Sequence, residues 1–352
     1  MRPVLISGGA GFIGTNLAHR LMSEGRPVLV FDSLARPGVE HNLRWLRETH
    51  GARLRVQVAD VRDVEAVRRA VAQCDQVFHF AAQVAVTTSL DDPLDDFDVN
   101  ARGTLNLLEA IRAQPIPPSL VFTSTNKVYG ALEDVGLRRL NQRYAPVDKV
   151  LAERGVSEAR PLDFHSPYGC SKGCADQYVL DYGRSFGLPT IVFRMSCIYG
   201  PHQHGTEDQG WVAHFLIRAL AGRPITVYGD GRQVRDLLFV EDLVGALLLA
   251  QRHMSTQAGQ AFNIGGGPGN AASLLEVIAA IDALVDHPVE TVHDAWRVGD
   301  QRYYVSDVGR FTRATGWRPT VGVSEGITRL ADWLRKFGRE PALAVNAGDV
   351  AR

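Results

Sequence analysis

Through its first half the chain alternates short β-branched or aromatic runs, at residues 3–7, 27–32, 54–58, 75–80 and 119–123, with helix-length amphipathic stretches at 12–24, 64–72 and 95–113. Strands separated by a helix cannot join as hairpins. Each crossover brings the next strand back in the same direction, so the pattern predicts βαβ units and a parallel sheet covered on both faces. The expected fold class is α/β, a doubly wound parallel sheet over residues 1–195. After Arg194 the regularity decays into Gly200-Pro201, Gly222-Arg223-Pro224, Gly229-Asp230-Gly231 and the glycines between 265 and 269, with helical patterns at 212–221, 240–252 and 273–285. Residues 196–338 are therefore expected to form a smaller mixed α/β region that supplies a substrate pocket, with later segments free to return to the first sheet. Residues 339–352 show little amphipathic order and read as a flexible tail.

Lys and Arg number 38 and Asp and Glu 39, a formal net charge of −1. That balance, without long basic runs, excludes a nucleic-acid binder that works by neutralising phosphates. No stretch supplies the roughly 18 uncharged apolar residues of a membrane span, and the apolar run at 4–6 is cut by Ser7-Gly8-Gly9, far short of a signal-peptide core. The four cysteines form no CxxC pair and the eleven histidines no HExxH or zinc spacing. The expectation is a reduced, cytoplasmic, metal-free protein with a small-molecule partner.

The first strand leads into Ser7-Gly8-Gly9-Ala10-Gly11-Phe12-Ile13-Gly14, which contains GxGxxG from Gly9 to Gly14 and opens a helix. Glycines there let the main chain approach a pyrophosphate, and the helix N-terminus presents free N–H groups to it. The second strand ends at Asp32, near the offset expected of a carboxylate that binds the adenosine ribose, which favours NAD. Arg36 is the competing sign of a phosphorylated cofactor. Asp60-Val61 after the third strand and Ala81-Ala82 after the fourth extend the candidate cofactor site beyond Gly8, Gly11, Phe12 and Ile13. Asp60 reads equally as a helix N-cap.

Tyr168-Gly169-Cys170-Ser171-Lys172 opens another apolar helix, and a spacing of four puts phenol and ammonium on one face. A cation there is expected to lower the phenol from its usual value near 10 and make it a base. Such pairs are commonly surface neighbours. The weight of this one comes from its place after a fifth strand ending Thr123-Ser124-Thr125.

Glycine turn, strand-end hydroxyl and YxxxK pair together resemble the extended short-chain dehydrogenase/reductases, the NAD-dependent epimerase/dehydratase family, along nearly the whole chain. The resemblance implies a Rossmann-type sheet, bound NAD and a nucleotide-sugar substrate. It assigns Thr125 to the reacting sugar hydroxyl, Tyr168 to acid–base catalysis, and Lys172 to the nicotinamide ribose and the tyrosine. Ser124-Thr125-Asn126-Lys127-Val128-Tyr129-Gly130, the 163–173 segment, Asp208-Gln209-Gly210-Trp211-Val212 and Gln233-Val234-Arg235-Asp236 are similar to family members that invert C2 of a CDP-linked deoxyhexose through a transient 2-keto sugar. The alternatives are another nucleotide-sugar epimerase or oxidoreductase with a UDP-, GDP- or CDP-hexose, and a noncatalytic NAD-binding sensor. Where 4,6-dehydratases of the family carry Asp-Glu, this chain has Asn126-Lys127, so the local carboxylates of that reaction are missing. Asn126, Ser166, Arg235 and Arg302 become the implied substrate contacts, the arginines gripping diphosphate; the plain reading pairs them with Asp236 or Asp300. Lys127 reads as structural or as a support behind the residues that touch substrate. Relatives pair the helices near 95–113 and 168–186 across a two-fold axis, so a homodimer is expected.

Overall fold

A computed structural model describes residues 1–297 and 299–337; the expected tail at 339–352 lies outside the described residues. Strands β1 (Val4–Ser7), β2 (Val28–Asp32), β3 (Leu54–Val58), β4 (Gln76–His79) and β5 (Ser119–Thr125) are joined by Thr190–Met195 and Gln260–Ile264 in one seven-stranded sheet. Its order runs Gln260–Ile264, Thr190–Met195, β5, β4, β1, β2, β3, with every pairing parallel. The order reverses between β1 and β4, which leaves a crevice at their carboxyl ends where ligands of such sheets bind.

Both faces are covered because the central strands are apolar on both sides: β1 is buried at all four positions. Helices Phe12–Ser23, Val39–His50 and Val240–Arg252 close one face around Val4, Ile6, Val30 and Leu247. Helices Val64–Val71, Gly103–Arg112 and Ser166–Phe186 close the other around Leu5, Phe122, Val179 and Val192. The pattern expected as one helix at 95–113 is instead Pro93–Phe97, a π-helical turn at Asp98–Arg102, and Gly103–Arg112. The extra residue of a π turn re-aims the side chains on its face, which is why such turns gather at functional sites.

Strand Val234–Phe239 anchors a second, mixed sheet: antiparallel to Ala271–Ser273, parallel to Tyr303–Tyr304 and to Cys197–Tyr199. Helices Trp211–Leu220, Leu274–Asp282 and Val323–Phe337 pack on it through Leu216, Ile281 and Leu330. Between these two visits to the smaller layer the chain runs back through Val240–Arg252 and Gln260–Ile264 onto the large sheet. Among the described residues no helix is long and apolar enough to cross a membrane.

Candidate active site

The turn after β1 is built from main chain alone. Gly8 has φ +70°, and a Cβ there would lie 2.7 Å from Ala81 N; one on Gly14 would lie 2.3 Å from Gly8 O. Helix Phe12–Ser23 begins at Gly11 with no side-chain cap and no acid in its first turn, so its leading N–H groups remain available to an anion. Asp32 closes the turn from β2: its carboxylate accepts from Ala10 N and Leu34 N, each at 2.9 Å. Burial raises the Asp32 carboxyl, and the backbone N–H groups of Leu34, Ala10 and Gly11 oppose that. These residues fit a dinucleotide: bare backbone where a pyrophosphate needs close approach, and an acid with lone pairs left for ribose hydroxyls.

From this turn a cavity of about 540 Å³ runs between the two sheets. Phe12, Ile13 and Ala82 line it at one end, Thr125, Asn126, Tyr168 and Lys172 at its middle, and Trp211, Tyr228, Gln233 and Arg235 toward the smaller layer. The catalytic candidates of two separate elements, β5 and helix Ser166–Phe186, therefore face one space. Thr125 ends β5, and its hydroxyl donates to Asn126 Oδ1 (3.3 Å) and accepts from Lys127 N (3.2 Å). Asn126 Nδ2 donates to Gln301 Oε1 at 3.1 Å, and Gln301 Nε2 donates to the Gly130 carbonyl at 2.6 Å.

Tyr168 and Lys172 sit one turn apart on Ser166–Phe186, but the electrostatics differ from expectation. Burial pushes the Tyr168 phenol up to about 12, the Asp96 carboxylate adds to it, and the Thr125 hydroxyl alone opposes. The lowering expected from Lys172 is not there, because spacing fixes proximity and not direction. The Lys172 ammonium donates to the Thr123 carbonyl at 2.7 Å and lies over the Phe122 ring at 4.3 Å. Burial also brings Lys172 down to about 7 against the pull of Asp176 and Asp96.

Several supporting groups escaped sequence reasoning. Asp96 and Asn100, on either side of the π turn's start, hold Ser171: its hydroxyl donates to Asp96, and Asn100 Nδ2 donates to Asp96 Oδ1 (3.1 Å) and Ser171 Oγ (3.0 Å). Asp176, fully buried, takes a two-pronged bond from Arg194, Nε and Nη2 both at 2.9 Å. Only the polar character of these residues inside apolar helices hinted at them.

Other candidates are placed differently. Asp60 is bound by its neighbour Arg62 through backbone and guanidinium, and the N-cap of Val64–Val71 is Asp63, whose carboxylate accepts from Glu65 N and Ala66 N. Val61 is buried in the core and Ala81 packs against it; they, Asp60 and Arg36 do not line the cavity, and neither do Gly8, Gly11 and Asp32 of the turn beside it. Ser166, at φ +63°, accepts from Gly169 N at 3.2 Å at the helix start, outside the lining. Arg235 is buried, lines the cavity and donates to Asp300 Oδ1 at 2.6 Å, so the ion pair and the cavity position coexist. Arg302 is exposed and lies over the Tyr144 and Trp296 rings instead of in the cavity. Its neighbour Gln301 is buried and makes the contact to Asn126. Among the described residues no group of three His, Cys, Asp or Glu side chains is placed to hold a metal.

A switch-point crevice with bare backbone at its glycine turn, a carboxylate at the end of β2 and a hydroxyl, a phenol and an ammonium in one cavity has the features that a dinucleotide-dependent dehydrogenase-type site requires. The chain belongs to the NAD dependent epimerase/dehydratase family, whose model matches residues 4–265. It is 43% identical to CDP-paratose 2-epimerase of Salmonella typhi, over 94% of this chain and 98% of that one. Among solved structures it is similar to the UDP-glucose 4-epimerase of Thermus thermophilus in complex with NAD, with a TM-score of 0.77 and 34% identity over 95% of this chain and 99% of the other. It is also similar to a dTDP-glucose 4,6-dehydratase of Streptomyces venezuelae with NAD bound, with a TM-score of 0.81 and 28% identity over 95% and 97% of the two chains.

Proposed function

We propose that this chain is an NAD-dependent epimerase that inverts C2 of a CDP-linked deoxyhexose, interconverting CDP-paratose and CDP-tyvelose through a transient 2-keto sugar. The observation that carries the reading is the 43% identity to CDP-paratose 2-epimerase across nearly the full length of both chains. The meeting of Thr125, Tyr168 and Lys172 in one cavity supports it.

A C2 hydrogen with no adjacent carbonyl is not acidic, so inversion by simple proton exchange fails and oxidation must come first. Bound NAD would supply a two-electron acceptor that returns the same pair, and a positive charge near the buried phenol would favour its phenolate form. In this reading Tyr168 removes the proton of the C2 hydroxyl and gives it back after the keto sugar has turned its other face. Thr125 orients that hydroxyl, and Lys172 holds the nicotinamide ribose. Gly8, Gly11, Phe12, Ile13 and Asp32 hold the rest of the cofactor, and Asn126 and Arg235 contact the substrate. Asp300, already bound to Arg235, keeps the guanidinium plane fixed before the diphosphate arrives.

The proposal includes a cytoplasmic homodimer. The four free cysteines accord with a reducing compartment. Leu94, Phe97, Tyr178 and Phe186 are exposed apolar residues on the helices expected to pair, and a measured solution mass tests this.

The decisive experiment incubates the purified enzyme with CDP-paratose in deuterated water and reads the sugar by NMR. Expected are conversion to the C2 epimer and no deuterium at C2. Substantial C2 labelling, or no conversion, overturns the reading.

A further inference from the structure

Lys127, read from sequence as structural or supporting, lines the cavity beside the catalytic trio. It sits on the 3-10 turn Asn126–Tyr129, and its backbone N–H donates to the Thr125 hydroxyl, so the position of the two is coupled. Its ammonium donates to the Gly299 carbonyl at 3.1 Å, its one hydrogen bond among the described residues; an ammonium has three donors. Arg235 and Asp300 are its charged neighbours, and Cys197 faces it from the same wall. Two cations share one carboxylate, which leaves this corner net positive. Burial and Arg235 together bring the ammonium down to about 8, and Asp300 opposes them.

The chemistry of the proposed reaction gives that charge a task. In a nucleotide sugar the diphosphate hangs from C1, so a reacting C2 lies one carbon from the anomeric oxygen, whereas C4 lies on the far side of the ring. Bringing C2 to Thr125 and Tyr168 requires the sugar-proximal phosphate to come close to the same two hydroxyls. A reaction at C4 keeps that phosphate away. Arg235 reaches the cavity from the smaller sheet, but Lys127 projects from the turn that carries Thr125 itself.

We propose that Lys127 holds the sugar-proximal phosphate beside the catalytic trio and thereby selects C2 over C4 as the carbon that is oxidised. This inference rests on the 2-epimerase reading above. A ketone formed in the site is trapped by quenching turnover with sodium borodeuteride, which places deuterium on whichever carbon was oxidised.

Wild-type enzyme, Lys127→Met and Lys127→Arg are compared on CDP-paratose for kcat, KM and the position of the label. Loss of a charge-assisted contact predicts a fall in kcat/KM of about ten- to hundredfold for the Met variant, with label appearing at C4. The Arg variant, which keeps the charge, is expected to recover most of the rate with label at C2. A Met variant that keeps wild-type kcat/KM and labels C2 overturns the proposal. So does equal loss in both variants with label confined to C2, which is what a purely structural lysine gives. Wild-type enzyme that leaves CDP-paratose unchanged fails the substrate reading itself, a result distinct from either.

Discussion

Gly14→Ala tests whether the glycine turn is a cofactor cradle or only a tight corner. The added methyl would stand 2.3 Å from Gly8 O and 2.6 Å from Gly9 Cα, where ordinary contact begins at 3.4 Å. Both obstacles are main-chain atoms that cannot rotate away, so turn and helix must part by about 1 Å. Overpacking of this kind costs about 1–3 kcal/mol, while replacing a helical glycine by alanine returns about 1 kcal/mol. The net loss of stability is therefore modest, at most about 2 kcal/mol. If the turn is the proposed cradle, affinity suffers more, because the separating backbone is then the surface that receives the pyrophosphate. Losing charge-assisted hydrogen bonds there weakens NAD binding about ten- to hundredfold. Calorimetric titration of NAD into cofactor-stripped protein, with thermal unfolding alongside, reads both quantities. Gly245→Ala is the control: it lies in helix Val240–Arg252 with no atom within 4 Å of the new methyl, and should bind NAD normally and melt slightly higher. Wild-type NAD affinity in Gly14→Ala would refute the cradle.

Three further outcomes are expected. Tyr168→Phe should lower kcat by about 10²–10⁴-fold while NAD affinity stays unchanged, measured by NMR turnover and titration. Lys172 is lowered to about 7 from 10.5, so between those values the unfolded chain holds a proton that the folded one has released, and stability rises with pH across that window. Denaturant unfolding from pH 7 to 10 should show the slope reduced in Lys172→Met by up to about 1.4 kcal/mol per pH unit; an unchanged slope contradicts the assignment. Asp176→Ala leaves the Arg194 guanidinium buried and unpaired and should cost about 3–5 kcal/mol in the same assay, whereas a loss below 1 kcal/mol by that measure would show that water reaches the arginine.

The parallel sheet was legible because its signals are local. β3 and helix Val240–Arg252 fall where the apolar runs ended, and the other strands expected in the first half differ by one or two residues. The glycine turn and Asp32 could be paired from their spacing because one βαβ unit brings them together. What eluded sequence reasoning depends on contacts between distant segments or on the direction of a side chain. Asp96 meets Ser171 across 75 residues, and Asn126 meets Gln301 across 175. Arg302 was an attractive phosphate ligand, but it is the one exposed position between buried Gln301 and the buried run from Tyr303 to Ser306, and no local pattern marks it. For Tyr168 and Lys172 the helix period gave the shared face but neither the strength of burial nor the direction of the ammonium, which turns to the Thr123 carbonyl.

The edge of the seven-stranded sheet is formed by Gln260–Ile264, drawn from far beyond the first five strands. A truncation near residue 195 would strip that border and bare the backbone of Thr190–Met195 to intermolecular pairing. Grafting a foreign specificity layer onto this scaffold consequently calls for at least two splice junctions, one before residue 240 and one after residue 264, so that the closing strand stays native.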